Sequence, residues 1–386
     1  MDFDFSKNQK MLQDSVKEYM RDKITPIADD FDRKGPMSKQ NAKRFLKDLA
    51  PFGYVGTLVE EKYGGPGMSH MDWAIIFEEL RGAYASLGGI AGITSATAGG
   101  LSRAGNEKIR EKTLSGLLSG DKIGCMAITE PDAGSDASAI KTEAVLKGDH
   151  YVVNGSKTWI SNGTIADYVI LLATIDPSLG PKGICQILVE KEVSPFESQE
   201  IHKMGLKSFP TAELSFNNCI VPKENLLMEP GEGLKGALRN LTFARCNAAI
   251  ASVGIAQAAL NSAIKYAKSR TQFGKTIGKF QLIQEMIAEM VVEVDASRLL
   301  TYRAFHMFDK GKIPIKEASI AKAYATEAGV RVASKAIQIH GAYGLSEEYP
   351  VERYFRDARC YTIPDGTTEM QKLIIGRETL GMSAIY

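Results

Sequence analysis

"HYVVNGSKTWI", His150 to Ile160, sets strand-forming residues on both sides of Asn154-Gly155. An Asn-Gly pair between two such runs predicts a β-hairpin, because both residues tolerate the positive φ of a tight two-residue turn. Stretches of strand length follow in "DYVILLATI", "GICQILVE" and "AELSFNN", rich in strand formers. Residues from about 121 to 230 therefore read as a β domain. The flanks read as helical. After Ser6, a candidate N-cap, Leu12, Val16 and Met20 recur on one helical face, and Pro26 is expected to end that run. Helical patterns continue through "QNAKRFLKDLA", "MDWAIIFEELRGAYA" and "NEKIREKTLSGLLSG". Beyond the β domain, Ile283, Ile287, Met290 and Val294 keep 3–4 spacing within a run from Phe280 to Asp309. Helices of that length with short connections suggest a bundle. The expectation is an α+β multidomain chain: an N-terminal α-helical domain (1–120), a middle β domain (121–230) and a C-terminal helical bundle (231–386).

The bulk numbers suit such a chain. With 386 residues, 44% hydrophobic and 24% charged, it can bury a large core. A net charge of +1 gives no reason to expect a nucleic-acid partner. No run of about 18 apolar residues predicts a membrane span, and "MDFDFSKNQK" has no apolar core of a leader peptide. The five cysteines are scattered, with no CxxC pair, which argues against a zinc site and a disulfide framework. A reducing, cytoplasmic setting is the simplest inference, and no metal is expected.

Several segments could carry chemistry, each with a plain alternative. "CMAITEPDAGSDASAIKT" (Cys125 to Thr142) is either a surface turn or a backbone and hydroxyl cradle for a polar ligand. No GxGxxG or GxxxxGK[ST] accompanies it, so neither a Rossmann fingerprint nor a P-loop is available. "GSKTWISNG" places Trp159 and Ser161 on the far arm of the expected hairpin, where the indole could cover a planar heterocycle or simply fill the core. "SRTQFGKTIGKFQ" (Ser269 to Gln281) is a solvated helix end or an anion clamp. "QIHGAYG" (Gln338 to Gly344) permits close backbone approach, or is a plain helix C-cap in which His340 is structural. "SLGGIAGITSATAGGLSRAG" (Ser86 to Gly105) is either a closely packed helix or the small-residue wall of a pocket. In "YTIPDGTTEMQKLIIGRETLG" (Tyr361 to Gly381), Asp365 sits between Pro364 and Gly366, as a helix N-cap or as an aimed carboxylate.

Together, "AITEPDAGSD", "NGSKTWISNG", "RTQFGK" and "QIHGAYG" resemble the acyl-CoA dehydrogenase family in order and spacing, over nearly the whole chain. The resemblance implies an α-helical domain, a β domain and a C-terminal four-helix bundle, with FAD as cofactor and a homo-oligomer, a tetramer or dimer. It implies that Met126, Ile128, Thr129, Trp159 and Ser161 lie along the flavin, with Thr129 and Ser161 at its polar edge. Gly134 and Ser135 would line the pyrophosphate and the CoA thioester. Arg270, Gln272, Phe273, Gln281, Gln338 and Gly341 would hold the adenine-dinucleotide half, mostly across a subunit interface. Thr367 and Glu369 would touch the diphosphate or adenosine, and Arg245 would lie near substrate and base.

The family commonly carries a glutamate before this Gly-Thr, as the base that removes the α-proton of an acyl-CoA while a hydride passes to flavin N5. Here the turn reads Pro364-Asp365-Gly366-Thr367, so Asp365 stands at the base position, and the thioester would lie against the Asp365–Gly366 backbone. The alternative helix position for a base is Ala244 here, which closes that route. An Asp base resembles the branch acting on alicyclic substrates such as cyclohexanecarboxyl-CoA, and Gly88, Gly89, Ala91 and Gly92 suggest an open wall at the end of the acyl pocket. Short- or branched-chain acyl-CoA, a nitroalkane oxidase-like activity, a non-catalytic flavin-binding scaffold and an acyl-carrier-protein substrate are the alternatives. An electron-transferring flavoprotein is the expected acceptor.

Overall fold

A computed structural model describes residues 4–384; Met1 to Phe3, part of the opening read as lacking a leader, lie outside it. Six helices come first: α1 (Lys7–Tyr19), α2 (Thr25–Lys34), α3 (Lys39–Leu49), α4 (His70–Ala83), α5 (Ala85–Ala104) and α6 (Glu107–Leu118). Ser6 caps α1 through a capping box with Gln9. Pro26 does not end the run. A π-turn over Met20–Ile24 hands the chain to α2, where Pro26 falls in the first turn and costs no backbone hydrogen bond.

Eight strands form one sheet: β1 (Gly124–Ala127), β2 (Glu143–Lys147), β3 (His150–Ser161), β4 (Tyr168–Thr174), β5 (Ile184–Glu190), β6 (Glu197–Glu200), β7 (Thr211–Pro222) and β8 (Leu226–Met228). Their order is β6-β7-β3-β2-β4-β5-β8, with β1 parallel to β4. Asn154-Gly155 is not a hairpin turn. β3 runs straight through it, and the turn lies earlier, at Gly148-Asp149, between β2 and β3. Asn154-Gly155 is a bulge against β7, where the register slips between Val153 and Gly155. Gly155 takes a φ of 143°, and a Cβ there would lie 2.7 Å from the Thr142 Cα. The same residues that suit a tight turn suit a bulge, and only the pairing of both flanks with β7 separates the two.

The C-terminal part holds α7 (Gly233–Ser269), a small hairpin of β9 (Thr271–Gln272) and β10 (Lys275–Thr276), then α8 (Gln281–Asp309), α9 (Ile315–His340), α10 (Val351–Cys360) and α11 (Thr368–Leu380). α7 and α9 are alanine-rich and buried together, with Met290 and Val294 of α8 closing the core. Among the described residues, α7 alone is long and apolar enough to cross a bilayer, and it is a core helix of this bundle. The small-residue run is the buried helix α5. Asn162, fully buried at the end of β3, donates to the carbonyls of Ile90 in α5 and Gly124 in β1, both at 3.1 Å, and so seats the sheet on the helices. All five cysteines are free; four are buried and Cys360 is half-buried.

Candidate active site

The turn between α10 and α11 reverses the chain through two consecutive positive φ values, 59° at Asp365 and 90° at Gly366. Asp is among the few residues that tolerate this region, at a cost on the order of 1 kcal/mol or more. Gly366 has no alternative, since a Cβ there would lie 2.8 Å from Gln371 Nε2. The helix cap is Thr367, not Asp365: the Thr367 hydroxyl accepts from the Met370 N–H at 3.4 Å. The Asp365 carboxylate is left to face the interior.

Three cations from three elements converge on it: Lys322 of α9, Arg245 of α7 and Arg81 of α4. Burial still wins. It raises the Asp365 carboxyl above the usual carboxylate range, with Lys322, then Arg245 and Arg81, pulling the other way. Asp365 keeps part of its surface open, but the depth of protein around the carboxyl decides its solvation. Arg81 and Arg245 each keep a buried Nε without a hydrogen-bond partner, and burial lowers the pKa of both against the attraction of Asp365.

Arg81 overturns one expectation. Gly88, Gly89 and Gly92 do not leave an open wall. A Cβ on Gly88 would lie 2.4 Å from Arg81 Cδ, one on Gly92 3.0 Å from Arg81 Nη2, and one on Gly89 2.7 Å from the Phe209 ring. The glycines make room for a buried arginine and a phenylalanine. Arg81 then donates to the Ala85 carbonyl at 3.1 Å, to Asn247 Oδ1 at 3.2 Å and to the Tyr361 hydroxyl. Its place at the foot of the turn that carries Asp365 was hidden because a lone arginine before a small-residue run has no local signature.

A second group gathers on the sheet. Thr129 and Trp159 come together because the Thr158 N–H donates to the Thr129 carbonyl at 2.9 Å. A second bulge, between Lys157 and Ile160, gives Trp159 a φ of 61° and leaves it 58% exposed. Met126 lies on β1, Ile128 and Thr129 just after it, and Ser161 at the end of β3. Beneath them lies a pair the sequence did not reveal. Lys157 Nζ, fully buried, donates to Glu130 Oε1 at 2.8 Å and to the Ile128 carbonyl at 2.9 Å. Glu130 also accepts from the N–H groups of Lys141 and Thr142 at 2.7 and 2.9 Å. The loop carrying Gly134 and Ser135, both exposed, is thereby anchored at its base. Burial depresses Lys157 to about 8, against the attraction of Glu130.

A third group lies elsewhere. Arg270 ends α7, Gln272 and Phe273 form the small hairpin, and Gln281 starts α8. Phe273 is 91% exposed. Arg270 lies over the Tyr343 ring at 5.7 Å, which brings it beside the segment holding Gln338 and Gly341. His340 is structural: Nδ1 lies 2.7 Å from the Ala336 carbonyl and the ring stacks on Tyr266. Arg245 and Arg270 sit 25 residues apart on one helix, or roughly 37 Å at 1.5 Å per residue. The third group therefore stands far from Asp365 in the same chain. A cleft of about 1390 Å³ opens beside Arg270 and Tyr343 and does not include Asp365. Thr367 caps α11 and Glu369 lies in its first turn, both close to Asp365 in sequence, with Glu369 exposed.

The second group fits a flavin. An exposed indole at strained φ, on a segment that is bonded to Thr129 and holds Ser161 two residues on, offers an apolar face with hydroxyl-bearing residues near it. The exposed Arg270 and Phe273 likewise offer a charge-bearing fork and a ring suited to a nucleotide.

Residues 6–121, 125–219 and 231–380 match, in that order, the N-terminal, middle and C-terminal domains of acyl-CoA dehydrogenases. Among similar proteins is the glutaryl-CoA dehydrogenase of Desulfococcus multivorans, 40% identical over 388 residues that take in 99% of each chain. Another is the CarC subunit of the caffeyl-CoA reductase-Etf complex of Acetobacterium woodii, 38% identical over 378 residues, 96% of this chain and 98% of that one. The butyryl-CoA dehydrogenase structure from Megasphaera elsdenii superposes with a TM-score of 0.94 at 37% identity, covering 98% of this chain and all of the other.

Proposed function

The chain belongs to the acyl-CoA dehydrogenase family, and from that premise we propose that Asp365 is the base that removes the α-proton of an acyl-CoA thioester. The enzyme is a flavin-dependent oxidoreductase with FAD as cofactor. When bound, FAD supplies the acceptor for the hydride that leaves the β-carbon. Trp159, Thr129 and Ser161 would hold its ring, and Arg270, Gln272, Phe273, Gln281, Gln338 and Gly341 of a neighbouring chain its adenine half.

The observation that carries the reading is a carboxylate that the helix does not use. Asp365 is held at positive φ, with its capping role taken by Thr367. Burial makes it more basic than an exposed aspartate, while Lys322, Arg245 and Arg81 keep ionisation within reach. That balance suits a base that must be ionised at rest and still bind a proton from carbon. Its backbone N–H is the donor this reading assigns to the thioester carbonyl, where charge develops as the α-proton leaves. Arg81 and Phe209 fill the glycine-lined end of the small-residue helix, which favours a compact acyl group. Cyclohexane-1-carboxyl and short or branched chains both meet that requirement. The kinship with an Etf-complex subunit supports an electron-transferring flavoprotein as acceptor, and the separation of Arg245 from Arg270 supports a homo-oligomer, a tetramer in this reading.

Anaerobic flavin reduction tests the proposal. Asp365→Asn should retain FAD and bind acyl-CoA, while the reduction rate falls by roughly two to four orders of magnitude, the usual weight of a general base. A rate within about threefold of wild type rejects the base. Cyclohexanecarboxyl-, isobutyryl-, butyryl- and octanoyl-CoA compared on the wild-type enzyme sort the acyl group. A preference for octanoyl-CoA would reject the compact pocket and leave the base untouched.

A further inference from the structure

Lys322 occupies a place unusual for a lysine. It lies in the N-terminal half of α9, in the alanine-rich run "ASIAKAYA", and is fully buried. Its ammonium donates to the Gly366 carbonyl at 2.6 Å and to the Thr362 carbonyl at 3.2 Å. Those carbonyls stand on either side of Asp365, so one side chain ties both ends of the turn. Gln371, also fully buried, adds bonds to the carbonyls of Gly366 at 2.7 Å and Asp365 at 3.3 Å. A neutral residue such as Gln371 suffices to satisfy carbonyls. A buried ammonium costs far more to desolvate, and a neighbouring anion is what offsets that cost.

We propose that Lys322 is the positioning residue of the base: its ammonium ties the ends of the turn that presents Asp365, and its charge sets the pH at which that carboxylate becomes competent to take a proton. The inference rests on the reading of Asp365 as the base. Lys322 is the foremost of the charges that favour the Asp365 carboxylate, ahead of Arg245 and Arg81. The coupling is reciprocal: burial lowers Lys322 to about 8, Asp365 pulls it back up, Arg245 repels it, and Glu327 and Glu369 add smaller attractions. Arg81 is held against Tyr361 and Asn247; Lys322 alone of the three cations bonds the turn on both sides of Asp365.

The two parts of the role separate by substitution. Lys322→Gln keeps N–H donors for the carbonyls and removes the charge, Lys322→Met removes both, and Lys322→Arg keeps the charge. The measurement is the rate of flavin reduction by butyryl-CoA or cyclohexanecarboxyl-CoA against pH in FAD-loaded enzyme, with melting temperature recorded over the same range. The acid limb should move to higher pH by about one unit or more in Lys322→Gln and Lys322→Met, the usual effect of losing an adjacent opposite charge. It should return toward its wild-type position in Lys322→Arg. The plateau above the limb should fall further in Lys322→Met than in Lys322→Gln, because only the former unties the turn. If both neutral variants keep the wild-type limb and lose only melting temperature, Lys322 is structural and the proposal fails. An Asp365→Asn enzyme that retains the wild-type rate removes the base reading and this proposal with it. A slow Asp365→Asn enzyme beside an unmoved Lys322→Gln limb removes this proposal alone.

Discussion

Burial raises the Asp365 pKa above its unfolded value, so the ionised carboxylate is the form the fold disfavours. The stability this group contributes is fully present below the unfolded value and is lost as pH rises through the folded one. At neutral pH the ionised side chain therefore costs stability, and an amide of the same shape does not. Asp365→Asn also leaves the buried Lys322 ammonium without the anion that offsets its desolvation, so the test is the trend: the melting temperature of the variant relative to wild type should rise as pH rises through the titration of the carboxylate. A difference that stays flat or falls with pH would show that the three cations outweigh burial. The turn around Asp365 was legible in the sequence, because Pro364 and Gly366 frame it; whether its carboxylate capped the next helix stayed open until Thr367 was found in that place. Arg81, Lys322 and Lys157 were not legible. Each is a single cation with no local signature, and the partner that gives it its place lies 27 residues away for Lys157, 44 for Lys322 and 280 for Arg81.

At the level of elements, α1, α3, α4, α6 and α8 followed from their patterns, and β4, β5 and β7 from composition. Two local signals misled for the same physical reason. Asn154-Gly155 and Pro26 mark departures from regular backbone, and a bulge or a π-turn is as good a departure as a chain reversal or a helix end. Which one forms depends on partners: β7 for the first, and the helix that continues beyond Pro26 for the second. Small residues in α5 likewise announced close approach without saying what approaches, and the answer, Arg81 and Phe209, comes from two other elements. The buried Lys157–Glu130 pair offers a test at this scale. Removing one partner of such a pair leaves an uncompensated buried charge, which costs about 3–5 kcal/mol. Lys157→Met should lower the denaturation free energy by that order and loosen the loop over residues 128–135, so that FAD is retained more weakly. Lys157→Met with unchanged stability and FAD content would show that the pair does not anchor the loop.

For the whole molecule, the distance along α7 between Arg245 and Arg270 supports the proposal that the nucleotide-suited hairpin of one chain would serve another chain's flavin. Arg270→Ala should then lower FAD content without changing the fold of the isolated chain. Mixed assemblies of Arg270→Ala and Trp159→Ala chains should recover FAD at those sites where two intact halves meet. Mixtures with no more FAD than the two variants kept apart would place both halves of the flavin within one chain. Assembly of this kind hides interfaces, but not the interior of each domain, and there the five unpaired thiols have a use of their own. Burial pushes Cys125 and Cys185 to about 12, Cys219 and Cys360 to about 11, and Cys246 higher still. At neutral pH almost none is thiolate, so an alkylating reagent reaches them only when the surrounding structure opens. Three report on the sheet, Cys246 on the bundle and Cys360 on the helix that leads into the Asp365 turn. The rates at which they are modified, read one by one by mass spectrometry, rank the order in which the parts of the molecule come undone.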